Sequence, residues 1–225
     1  MSFRSTAPVG EELAALRAEA AEGIRNLRSR ISRLDADSLD LILTGARTHH
    51  AWTDRPVSDA LLREIIDIVL SGPTSMNSLP ARFLFVKTAE GKKRLAKSLK
   101  PANLPKMMGA PVSVIIAHDL DFWRKLPFLF PHEDRRPHFD GKPEFTAETA
   151  FRNATLQGAY LIIAARALGL DTGPMSGFSN KVVDEEFFAG TSLRSNFICN
   201  LGYADETALF QKLPRHGFDD ICSFA

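Results

Sequence analysis

A chain of 225 residues can bury a sizeable core within one domain of the larger ordinary kind. Its 28 Lys plus Arg against 27 Asp plus Glu leave a net charge of +1, so composition gives no electrostatic reason to expect a nucleic-acid or anionic-membrane partner. Two cysteines, Cys199 and Cys222, are too few for a disulfide scaffold, and without a Cys/His cluster at ligand spacing neither a bound metal nor an oxidising compartment is expected.

The longest strongly apolar stretches, Val112–Ala117 and Ala159–Ala165, are too short to span a bilayer. Glu11, Glu12, Glu19 and Glu22 stand among the N-terminal arginines, which fits neither a signal peptide nor an acid-poor transit peptide. A cytoplasmic protein without a membrane partner is the expectation.

In chain order, Leu13, Leu16, Ala20, Ile24, Leu27, Ile31 and Leu34 recur at spacings of three and four, predicting an amphipathic helix over about 11–34. The stripe is narrow, as in a coiled-coil seam, so the helix reads either as an oligomerisation arm or as a helix packed on its own domain. Ser58 reads as an N-cap for a helix carrying Leu61, Leu62, Ile65, Ile66, Val69 and Leu70 on one side, stopped by Ser71-Gly72-Pro73. Phe83–Val86 and Val112–Ala117 read as buried strands. Residues 121–145 combine four prolines with six aromatics, which reads as a lid over an apolar ligand or partner subunit, or as a loop pinned by its own aromatics. Residues 146–168 form the strongest helix, apolar on nearly every face and expected to run through the centre. A last strand is expected over about 196–203. Together these predict an α+β domain over residues 37–225, with a mixed sheet flanked by helices, behind an N-terminal helical extension over 1–36.

The usual nucleotide signatures are missing: no G-x-G-x-x-G follows a strand, and no Walker loop is present. No nucleophile elbow supports a Ser-His-Asp hydrolase. His49 and His50 are adjacent, so they do not form the i, i+4 pair of a helical metal site. What remains are polar patches between core elements: Arg47-Thr48-His49-His50, Pro73-Thr74-Ser75-Met76-Asn77, Asn103 through Lys106, Pro174-Met175-Ser176-Gly177, and Arg215 in the tail.

Taken in this order the patches resemble the nitroreductase family. The stretch from Ala46 to Trp52 is similar to its Arg-Arg-Ser-x-Arg-x-Phe motif, and the stretch from Pro73 to Ala81 to its Pro-Ser-Ser-x-Asn-x-Gln-Pro-Trp motif. Ala167-Leu168-Gly169-Leu170 followed by Pro174–Phe178, and Gly202-Tyr203 followed by Arg215, complete the likeness from about Leu39 onward. Pro80-Ala81-Arg82, Leu126–His132 and Glu148–Asn153 look closest to the malonic semialdehyde reductases of pyrimidine-ring degradation.

The resemblance implies a nitroreductase-like fold in a domain-swapped homodimer, with FMN at the interface and NADH or NADPH as reductant. Arg47, His50 and Arg215 would hold the phosphate, with Thr48 and His49 beside them. Lys106 and Asn103 would face the flavin pyrimidine ring. Pro174, Met175 and the backbone of Ser176 and Gly177 would approach N5, and Pro73, Thr74, Ser75 and Asn77 would reach the flavin from the other subunit. Flavin supplies the redox chemistry, so no side chain is given an acid or base role. Ala46 and His50 replace family arginines, and Leu79 and Ala81 replace Gln and Trp, which bears on substrate more than on cofactor. The expected reaction is reduction of a small molecule, malonic semialdehyde to 3-hydroxypropanoate. The alternatives are a nitroaromatic or quinone reductase and, in another class, a flavin-binding protein without turnover.

Overall fold

The computed structural model describes residues 5–225. Its helices are α1 (Gly10–Arg30), α2 (Ala36–Leu39), α3 (Asp59–Val69), α4 (Ala89–Ala96), α5 (Leu104–Gly109), α6 (Leu126–Leu129), α7 (Pro143–Ala167), α8 (Asn180–Phe187) and α9 (Phe218–Ile221). Its strands are β1 (Ala81–Val86), β2 (Val112–Asp119), β3 (Asp171–Met175) and β4 (Leu193–Gly202). Ser58 caps α3 as its sequence position predicts, its hydroxyl accepting from the Leu61 N–H at 3.2 Å.

The four strands form one sheet in the order β1-β2-β4-β3, and every adjacent pair is antiparallel. The expected mixed sheet is therefore corrected for this chain. Strands β2 and β3 point the same way, but both pair with β4, so the parallel-running strands are never neighbours. Strand β3 stands where the sequence shows only the polar patch beginning at Pro174, because Gly173-Pro174 has poor strand propensity; its ladder with β4 makes it a strand.

Strand β2 is buried along nearly its whole length, and its alternating side chains feed two cores. Val112, Val114 and Ile116 join Leu62, Ile65 and Val69 of α3 and Leu161, Ala164 and Ala165 of α7. Ile115 and Ala117 face Leu95, Met107, Val183 and Ile198 on the other side. Cys199 lies fully buried in β4, and burial pushes its thiol up to about 12, as suits an inert core cysteine.

Helix α7 crosses the sheet but is not buried all round: Phe145, Phe151 and Leu156 are about half exposed. Its sheet-facing side presents Gly158, where a Cβ would come within 2.6 Å of the Phe197 ring. Its buried polar groups organise the neighbouring chain. Gln157 Oε1 accepts from the Ala81 N–H at 2.9 Å, holding the start of β1, and Asn153 Oδ1 accepts from the Ser75 N–H at 2.8 Å. Gln157→Leu fills the same space but leaves the Ala81 amide unpaired, which should lower stability by about 1–3 kcal/mol. Urea denaturation should show a lower midpoint with an unchanged slope. An unmoved midpoint would mean that Ala81 finds another partner.

The aromatic segment is in part pinned by its own rings. Phe122 and Phe139 are buried and meet edge to face with centroids 5.0 Å apart, while Phe128 is 84% exposed. Helix α1 carries no buried residue, and Ile31 and Leu34 lie beyond its end. Neither packing on its own domain nor helix continuing to Leu34 is observed.

Burial holds the imidazoles of His49 and His118 below their ordinary range; Asp171 opposes the shift at His49, and Asp184 and Asp119 oppose it at His118. Because the folded values lie below the unfolded ones, the unfolded chain binds more protons just below about pH 6.5. The contribution of the neutral imidazoles is complete above that value and is lost as pH falls through the interval between the two states. Denaturation midpoints should drop from pH 7.5 to 5.5, and His118→Gln should flatten part of that drop; an equal drop in the variant would exonerate His118.

Candidate functional site

Bringing β3 against the segment after α2 builds the site. The His49 N–H donates to the Thr172 carbonyl at 3.0 Å, and Thr48 bridges Thr172, so residues 47–50 form a short addition to the β3 edge. Arg47, Thr48 and His50 then line a hollow of about 460 Å³, closed by Arg166 of α7 and by the C-terminal tail with Phe210, Lys212 and Arg215. Among the described residues, no carboxylate lines it and four permanent cations do: Arg47, Arg166, Lys212 and Arg215. The Arg47 guanidinium donates to the Phe210 carbonyl and Lys212 to the Thr44 carbonyl, fixing the tail over the hollow. Arg215 is exposed and donates at 3.0 Å to the carbonyls of Leu213 and Pro214.

His50 is exposed at the hollow's edge, and its imidazole is held below its ordinary range by partial burial first and by the nearby Lys106 charge second. It is therefore mostly neutral near pH 7 and acts there as a hydrogen-bonding group more than a charge.

His49 lies apart from this arrangement. Its side chain is buried and directs Nε2 to Asp171 Oδ1 at 3.2 Å, with Nδ1 unpartnered. It lines an adjoining hollow that contains Asp40, Asp171 and Glu206 and shares Arg47 and Arg166 with the cationic one, so those two cations stand between the two hollows.

A second group of predicted residues meets beside the first. Lys106 Nζ donates to Asn103 Oδ1 at 3.2 Å, and Asn103 Nδ2 donates to the Gly177 carbonyl at 3.2 Å. A Cβ at Gly177 would collide with Asn103 Nδ2, so any larger residue there would displace the Asn103 amide from its place. The Lys106 carbonyl accepts from Trp52 Nε1 at 3.1 Å and Asn200 Nδ2 at 3.3 Å, which ties the start of α5 to residues 47–52 and to β4. Pro174 and Met175 lie in β3 opposite Cys199 and Ile198, and Ser176 is exposed just past its end.

The Pro73–Asn77 patch stands apart from both groups, and none of its residues lines the cationic hollow. Thr74 Oγ1 accepts from the Leu79 N–H at 3.2 Å, and Asn77 Nδ2 donates to the Leu129 carbonyl at 2.9 Å. Met76, Asn77 and Leu79 all adopt left-handed φ values of 54°, 51° and 41°. Three non-glycine residues in that region within four positions store backbone strain, which persists where the surroundings over-determine a loop.

Arg166 and Lys212 were missed by sequence reasoning. Arg166 had a signal, as a charge inside the alanine-rich apolar end of α7, whereas Lys212 had none.

The fold thus sets a cation-lined hollow beside a lysine–asparagine–glycine cluster. The sequence matches the Nitroreductase family over residues 43–203, and the chain belongs to that family. A Burkholderia lata protein, provisionally named as an NADH dehydrogenase/NAD(P)H nitroreductase, is 56% identical over 191 residues, 85% of this chain and 98% of its own length. Among solved structures, a provisionally assigned nitroreductase from Exiguobacterium sibiricum in complex with FMN superposes with a TM-score of 0.74 at 20% identity, over 86% of this chain and 99% of that one. A Staphylococcus epidermidis protein, provisionally described as an NAD(P)H:FMN oxidoreductase, gives 0.76 at 18% identity, over 86% of this chain and 98% of its own. At such identities these two speak for the fold.

Proposed function

We propose that this chain is an NAD(P)H-dependent oxidoreductase that works with FMN and reduces a small oxidised substrate. The observation that carries the reading is the carboxylate-free hollow of Arg47, Arg166, Lys212 and Arg215 beside the Lys106–Asn103–Gly177 cluster. The residues fit the group: planar guanidinium forks suit a phosphate, and the Lys106 ammonium suits the charge that a reduced flavin ring carries. When bound, the flavin would supply the hydride-transfer chemistry between the nicotinamide and the substrate. Arg47, His50 and Arg215 would hold the phosphate with Thr48 beside them, and Lys106 and Asn103 would supply positive charge and a hydrogen bond to the pyrimidine ring. The backbone of Ser176 and Gly177 would serve the N5 side.

The Pro73–Asn77 patch completes the site from a second subunit of a homodimer. Its separation from the hollow within one chain and the half-exposed Phe151 and Leu156 on α7 support that arrangement. Co-expressing an Arg47→Ala chain with a Ser75→Trp chain tests it. A mixed dimer then has one doubly altered site and one intact site, so flavin binding absent from either variant alone should return. No recovery would refute the shared site.

For the substrate, malonic semialdehyde, reduced to 3-hydroxypropanoate, is supported by the subfamily-like stretches around Arg82, Phe128 and Arg152. A nitro compound or quinone is the second reading, favoured by the name of the Burkholderia relative. Steady-state kinetics with malonic semialdehyde, a nitroaromatic and a quinone, each with NADH and NADPH, decides between them. The highest kcat/KM identifies the acceptor, and no turnover with any of the three would leave flavin binding without this catalysis.

A further inference from the structure

We infer that α1 pairs antiparallel with α1 of a second copy of this chain. The helix runs for 21 residues, about 31 Å at the usual rise, and buries none of them. Leu16, Ile24 and Leu27 are 47%, 52% and 47% exposed, although they form one stripe with Leu13 and Ala20. A helix of this length gains little from propensity in water and takes its stability from covering an apolar face. The family match begins at residue 43, beyond the helix, so the pairing is independent of the flavin reading.

Two features of the sequence choose the occupant and its direction. The stripe Leu13, Leu16, Ala20, Ile24, Leu27 has spacings of three, four, four and three, which read the same from either end. An antiparallel pair crossing at Ala20 therefore sets Leu13 on Leu27 of the second copy, Leu16 on Ile24 of the second copy, and Ala20 on its own equivalent. Such a contact is self-complementary about a two-fold axis, the symmetry by which identical chains most often close.

Charge selects the same direction. Residues 10–19 hold Glu11, Glu12 and Glu19 against Arg17, a net −2; residues 21–30 hold Glu22 against Arg25, Arg28 and Arg30, a net +2. Antiparallel pairing lays the acidic half of one helix on the basic half of the other, with Glu12 facing Arg28 of the second copy. Parallel pairing would lay like on like, so opposite charge sets the orientation.

Cysteine cross-linking of the full-length chain tests this. Cys222→Ser removes the exposed thiol, and Cys199 is buried, so introduced cysteines report alone. A disulfide needs Cα atoms within about 7 Å. Under mild oxidation Ala20→Cys should cross-link to itself. Leu13→Cys and Leu27→Cys should each fail alone but cross-link to one another when co-expressed with different tags, with a yield about ten-fold above either alone. Glu12→Arg should slow the Ala20→Cys reaction about two- to ten-fold, since two symmetry-related pairs are lost, and adding Arg28→Glu should restore it. All these residues are exposed or half-exposed, so the flavin domain should stay folded. Self-linking of Leu13→Cys would show parallel pairing and overturn the inference. So would failure of Ala20→Cys to cross-link, or failure of the charge swap to rescue.

Discussion

Replacing Arg47 by alanine is expected to strip most of the FMN from the purified protein. Arg47 is, with Arg166, one of two half-buried cations that line the hollow, and it stands on the short segment that Thr172 anchors to β3. A hydrogen bond to a charged partner contributes about 1.5–3 kcal/mol, which corresponds to roughly a 10- to 150-fold rise in Kd. A second effect reinforces the first. Arg47 also holds the Phe210 carbonyl, so its loss frees the tail that carries Lys212 and Arg215. Arg215→Ala, at an exposed position and with the tail still held, should fall at the lower end of the same range. Arg47→Lys keeps the charge but not the two-pronged geometry and should recover only part of the affinity. Fluorescence titration of apoprotein with FMN gives all three values. Equal affinities in Arg47→Ala and the parent chain would sink the phosphate assignment and with it the placement of the cofactor.

Lys106→Met should lower the two-electron reduction potential of the bound flavin by about 20–60 mV. Lys106 is half-buried and oriented by Asn103 at 3.2 Å, and Asn103 is in turn fixed on the Gly177 carbonyl. A cation held there favours the anionic reduced form of the flavin over the neutral oxidised form. A partly buried charge–charge contact of about 1–3 kcal/mol, at about 1.4 kcal/mol per 30 mV for a two-electron couple, gives that interval. Methionine keeps the length and the packing while removing the charge. The same substitution should let the His50 imidazole rise toward its ordinary range, because Lys106 contributes to its depression. Equilibrium titration against a reference dye reads the potential, and NMR titration reads the histidine. A variant that binds FMN at an unchanged potential would make Lys106 an ordinary surface charge.

The family and the polar patches that build the candidate site were legible in the sequence because each is a local signal. The Ser58 cap, the apolar runs of β1 and β2, and the Asn103–Lys106 spacing are all written within a few residues, and local sterics and hydrogen bonding act over that range. Sheet direction, strand β3 and the true surroundings of α7 were not legible in this way. Gly173-Pro174 has poor strand propensity, and only the ladder to β4 overrides it. Helix α7 is apolar enough to be buried on every side, yet a single chain covers only the sides that meet the sheet and α3.

The same division runs through the site. Sequence by itself determined which residues are available: the cations, the glycine at 177, the polar patch from Pro73 to Asn77 and the palindromic stripe on α1. Tertiary structure alone decided that Arg166 donates to the Arg47 carbonyl across 119 residues of chain, that the tail closes over both, and that His49 turns to Asp171 instead of joining them. Charge convergence depends on contacts between segments far apart in the chain, and no local periodicity encodes which distant segments will meet.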